Sequence, residues 1–137
     1  MKKLLEFYLA NFDFLYSDPG YRIADSRTGS VANAGMTVTG PVLEWTLAID
    51  RGQFSAMVGP SHKSEGAEAF WISLLRKYVE NHANIEFLPA VKEVRWAREN
   101  LDRVVRLFDD PYSARKACDD LRALRRAYGL KEWGLGC

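Results

Sequence analysis

Ser61, His62 and Glu65 bring a hydroxyl, an imidazole and a carboxylate into one short stretch. These are the residue types of a nucleophile, its base and an orienting acid. They lack the strained Gly-x-Ser-x-Gly elbow that presents a catalytic serine, and a polar loop explains them equally well. His62 and His82 have no second His or Cys at metal-ligand spacing, so both read as loop residues. Gly29, Gly35 and Gly40 lack the Lys-Ser/Thr ending of a phosphate loop. Asp119 and Asp120 sit among Arg115, Lys116, Arg122 and Arg125 at helical spacing, which gives solvated ion pairs. Asp110 precedes Pro111 as a helix N-cap. This reading names no catalytic residue, metal or cofactor.

Binding chemistry is more promising. Arg95, Arg98, Arg103, Arg106, Arg122, Arg125 and Arg126 line two expected helices, but acids are interleaved throughout. A solvated charged face fits better than a nucleic-acid reader. On a helix expected over residues 89–108, Val91, Val94, Ala97, Leu101, Val104 and Phe108 form a core stripe. At about 100° per residue, Trp96 projects roughly opposite its centre. Leu107 lies on the same side, with Arg103 between them. Either Trp96 packs on another helix or the tail, or it stands exposed beside Arg, a pairing enriched in interface hot spots.

The elements that would position these residues are legible in part. Leu43, Trp45, Leu47 and Ile49 alternate with more polar neighbours, as do Phe54, Ala56 and Val58, so residues 42–59 form a β-hairpin. A two-residue loop at Arg51-Gly52 pairs Ile49 with Phe54, Leu47 with Ala56 and Trp45 with Val58. Strands at 21–26 and 33–39 precede it, separated by a polar loop over 27–32. A helix over 3–16 ends at Pro19-Gly20. Ala67, Phe70, Trp71, Leu74, Leu75 and Tyr78 predict a helix over 67–78. A last helix starts at Pro111 and ends before Gly129, with Trp133 and Leu135 docking back. The expected fold is α+β: an N-terminal helix, a four-stranded antiparallel meander, and three C-terminal helices packed on the sheet, as a single domain.

The 137 residues carry 19 Lys+Arg against 18 Asp+Glu, a net charge of +1 with no field to draw nucleic acid or acidic membrane. No apolar run approaches the roughly 20 residues of a membrane span. The basic-then-apolar N-terminus is interrupted by Glu6, Asn11 and Asp13, which suits an amphipathic helix better than a signal peptide. A cytoplasmic chain is expected. Cys118 falls on an apolar stripe and Cys137 is terminal, so no disulfide framework is expected.

The run Phe14-Leu15-Tyr16, Gly20 to Arg27, Asn33-Ala34 and Asp50-Arg51-Gly52-Gln53 resembles small bacterial proteins of immunity type. These guard against polymorphic toxins. The resemblance covers about the first 60 residues and implies layout, carrying across no catalytic residue. Immunity proteins that block nucleases are often acidic; this chain is not, which speaks against a basic nuclease target. The resulting expectation is a protein-binding module, an immunity protein that neutralises a cognate toxin. Its contact surface would be Trp96, Arg103 and Leu107, with Arg27, Thr28 and Ser30 as a second patch. One alternative is a small enzyme or ligand-binding domain with a sheet–helix pocket near His62, Glu65 and Tyr78. Another is a subunit of a bacterial defence or regulatory assembly. The oligomeric state is left open.

Overall fold

Period-two alternation builds the centre of the molecule. The computed structural model describes residues 1–28, 33–61 and 68–132. Its sheet has β1 (Arg22–Thr28), β2 (Ala34–Thr39), β3 (Leu43–Asp50), β4 (Gln53–Pro60) and β5 (Phe70–Trp71), in that spatial order. Every neighbouring pair is antiparallel. The α+β class and the meander hold, with five strands in place of four. Ser30, the His62/Glu65 pair, and Trp133 and Leu135 of the tail lie outside the described residues.

The hairpin pairs Ile49 with Phe54, Leu47 with Ala56 and Trp45 with Val58. Arg51 and Gly52 both take positive φ, 53° and 82°, the conformation that lets a two-residue turn follow the strand twist. One face of the sheet is buried: Ala34, Met36 and Val38 of β2, and Leu43, Trp45, Leu47 and Ile49 of β3. Burying a large side chain of this kind contributes about 1.5–3 kcal/mol. Among the described residues no hydrogen-bond acceptor meets the buried Trp45 Nε1. Burial raises the nearby Tyr21 phenol, and the Trp45 indole partly offsets this.

The strand expected at 21–26 lies instead at Arg22–Thr28, so Arg27 and Thr28 belong to β1 and not to a loop. Between Ile23 and Asp25 the register shifts by one residue, a bulge at Ala24.

The helix expected over 3–16 is two: α1 (Lys2–Asn11) and α2 (Asp13–Tyr16). The break at Phe12 (φ −115°, ψ 32°) turns its ring into the core, edge-on to Trp45 at 5.8 Å. Phe7 stacks on Phe54 at 4.3 Å.

The helix expected over 67–78 is corrected as well. Phe70 and Trp71 form β5, pairing with Val58 and Met57, and α3 (Ile72–Glu80) follows. Residues 68–69 pass so close to β4 that a Cβ on Gly59 would lie 2.4 Å from the Glu68 carbonyl oxygen.

The single helix expected over 89–108 is α4 (Ala90–Glu99) and α5 (Leu101–Phe108), broken at Asn100 (φ −116°, ψ 22°). The last helix, α6 (Pro111–Glu132), runs through Gly129 and does not stop there. At its start, Ser113 N–H donates to Asp110 Oδ1 at 2.9 Å, the N-cap read from the sequence. Helices α1, α3 and α4 touch β3 and β4, and α5 packs on α6.

Candidate binding surface

The residues proposed for a partner surface separate into two groups. Trp96 is only 8% exposed. Its Nε1 donates to Glu80 Oε2 at 2.9 Å. Glu80 Oε1 lies 2.9 Å from His82 Nε2 and 3.4 Å from Arg76 Nε. The bonds from His82 and Trp96 hold the Glu80 carboxyl below its ordinary range. Leu107 is half-buried against the core. Arg103 is exposed, but its guanidinium is occupied: Nη2 donates to the Val79 carbonyl at 3.1 Å, and Nη1 to Asn100 Oδ1 at 3.0 Å. It caps one of the carbonyls that α3 leaves unpaired at its end. The three therefore knit α3, α4 and α5 together and form no open patch. The physical reason lies within α4, where Val94, Ala97 and Trp96 are all buried while Val91 is 47% exposed, so the helix is covered over a different and wider arc than the expected stripe.

Of the second group, the described residues Arg27 and Thr28 are exposed. Arg27 and Thr28 close β1 beside Asn33, Gly35, Ala48 and Asp50, around a shallow recess of about 360 Å³. Gly35 leaves room for the Arg27 side chain, whose Nε would lie 3.6 Å from a Cβ there.

Pairing places the outward residues in rows that run across the strands. Asp25, Thr37, Thr46, Met57 and Trp71 form one row; Arg27, Gly35, Ala48 and Ser55 form another. None of these side chains is fully buried. The opposite face of the same strands carries the core. Trp71 is 37% exposed and meets Phe87 edge-on at 6.0 Å; Phe87 in turn meets Tyr128 at 5.5 Å. Sequence reasoning missed this surface. Thr46, Ser55 and Met57 match no motif, and only the placement of the helices leaves them uncovered.

Groups with chemical potential are tied up in structural bonds. Tyr78 donates its hydroxyl to Asp120 Oδ2 at 2.6 Å, and Lys116 Nζ donates to the same oxygen at 2.9 Å. Burial, then the Asp120 contact, pushes the Tyr78 phenol up to about 12. Tyr78 therefore remains a neutral donor at any physiological pH. Ser73 is buried and donates through N and Oγ to Glu93 Oε2 at 3.0 and 2.8 Å. Burial raises the Glu93 carboxyl. This pair fastens the start of α3 to α4, and among the described residues no imidazole joins it. The Cys118 thiol is pushed up by burial, which suppresses the reactive thiolate. Among the described residues, no three metal-ligating side chains converge, and no helix is long and apolar enough to cross a membrane.

A cavity of about 340 Å³ lies between α3, residues 83–85 and α6, lined by Lys77, Ile85, Leu124, Ala127 and Tyr128 among others. Tyr78, expected at a pocket, is not part of its lining. No family model, no characterised protein and no solved structure matches this chain.

Proposed function

We propose that the chain is a protein-binding module of the immunity type that its first 60 residues resemble. In this reading it neutralises a cognate toxin by covering the toxin's active site. The observation that supports it is the uncovered outer face of the sheet. Across β2 and β3 that face presents half-buried Gly35, Thr37, Thr39, Thr46 and Ala48, with Glu44 at one end and exposed Asp50 at the other as its charges. A flat surface of small and hydroxyl side chains, poor in charge at its centre, has the composition of an interface core. Arg27 at one end and Trp71 at the other are the residue types enriched as anchors.

The test is co-expression with the product of the adjacent gene, reading both complex formation and growth. Thr46→Lys and Met57→Asp place charges on the outer face without touching the core. The expected result is a complex and growth rescue with the wild-type chain, lost with either variant while the thermal transition is kept. Absence of a complex and of rescue overturns the immunity reading. A complex that survives both variants overturns the assignment of the face.

A second reading rests on the cavity beside α6. Its apolar lining suits a small apolar ligand, and Leu124→Trp, which fills it, should abolish uptake of a fluorescent apolar probe if that reading holds.

A further inference from the structure

β1 is an edge strand of seven residues, and all seven are exposed. Among the described residues it pairs on one side alone, with β2. An edge of this length presents unpaired N–H and C=O groups that can template another strand. Proteins that bind by strand addition use this feature.

The side chains of β1 select the added strand. We infer that β1 pairs antiparallel with β1 of a second copy of this chain, with Ser26 opposite Ser26, joining two sheets into one. This goes beyond the proposed toxin contact, which rests on the outer face of β2 to β5 and shares Arg27 alone with the strand edge.

Symmetry and charge carry the argument. Two identical strands in antiparallel pairing are related by a two-fold axis perpendicular to the sheet. That axis keeps each face on its own side, so a residue can stand opposite only a residue of the same face. From Asp25 onward, Asp25 and Arg27 lie on the outer face with Thr37 and Gly35, and Ser26 and Thr28 lie on the inner face. Centring the pair on Asp25 puts two carboxylates together. Centring it on Arg27 puts two guanidinium groups together. Like charges directly opposite destabilise a pair. Centring it on Ser26 places each Asp25 opposite the other copy's Arg27, twice over, on one face. The bulge at Ala24 blocks regular pairing further toward the N-terminal end of β1. The Ser26-centred register is thus the one in which the strand complements itself.

The test is sedimentation equilibrium of the full chain over a range of concentrations. Wild type is expected to dimerise. Asp25→Arg and Arg27→Asp should each weaken dimerisation about tenfold or more, because two favourable cross-strand pairs become two repulsive ones. Mixing these two variants should restore association. The introduced arginine of one chain then meets the introduced aspartate of the other, and the retained Arg27 meets the retained Asp25. The double variant, D25R/R27D, should dimerise on its own as wild type does. A monomeric wild type, undiminished dimers in both single variants, or no association on mixing would each overturn the register. Thr46→Lys, which affects the toxin contact alone, should leave the dimer intact, so the two proposals fail separately.

Discussion

At one edge of the sheet, β5 is two residues long, and α3 begins at the next residue. Phe70 is wholly buried there, under the Arg125 guanidinium 5.4 Å from its ring centre. Glu68 holds Arg122 and Arg125 of α6, and Gly59 lets the chain cross tightly above β4. At the other edge, β1 runs seven residues with no side chain buried, and among the described residues no helix packs on it as the helices pack on β3 and β4. A short, covered edge is one of the ways proteins prevent unwanted strand pairing. A long, exposed edge that carries both Asp and Arg does not prevent pairing; it restricts which strand can pair. The same sheet therefore has a finished side and an available side.

That contrast can be broken from the finished side first. Phe70→Ala should cost about 3–5 kcal/mol, read as a shift in the urea midpoint. A cost no larger than that of a surface substitution would show that the β5 edge is not closed by packing. Gly59→Ala should cost about 1–3 kcal/mol, because its Cβ would meet the backbone of Glu68 and Ala69 at 2.4–2.9 Å, and backbone cannot swing aside as a side chain can.

Acid should loosen the same side. The Asp120 carboxyl is held down by Tyr78 and then Lys116. A folded-state pKa below the unfolded one contributes stability above the ordinary aspartate value of 3.8, and that contribution is lost as pH falls through the folded value. The stability gap between wild type and Asp120→Asn should therefore be present at neutral pH and close in acid; a gap independent of pH would remove Asp120 as a brace between α3 and α6. From the available side, Ile23→Ala should change monomer stability by less than about 0.5 kcal/mol, as Ile23 is 49% exposed. A loss as large as that at Phe70 would mean that β1 is covered after all.

The hairpin was legible in the sequence because two independent signals agreed. Alternation fixed which residues face inward, and the positive-φ turn at Arg51-Gly52 fixed which residues pair. β5 was hidden because Phe70 and Trp71 also continue the helical spacing of Leu74, Leu75 and Tyr78. Only pairing with Val58 and Met57, far away in sequence, decides between strand and helix there. The breaks at Phe12 and Asn100 involve neither Pro nor Gly. At Asn100 the side chain donates to the Trp96 carbonyl at 2.9 Å, occupying a backbone acceptor near the end of α4. The sequence leaves Trp96 either packed on another helix or exposed, and the structure packs it against α3 through Glu80. Arg27 and Thr28, expected in a polar loop, are exposed residues of a strand.

The bulge at Ala24 has a consequence of timing within the chain. In a regular strand Asp25 would fall in step with Ile23 and point toward the core side. The extra residue advances the alternation by one, so Asp25 and Arg27 emerge on the outer face and the hydroxyls of Ser26 and Thr28 on the inner. Ala24 is thus the residue the ladder skips, and its being bulged, more than its chemistry, keeps Asp25 opposite Thr37. Replacing it with Ser or Val would leave the alternation in place. Deleting it would leave Asp25 directly after Ile23, so the strand would become regular with both charges still on the outer face.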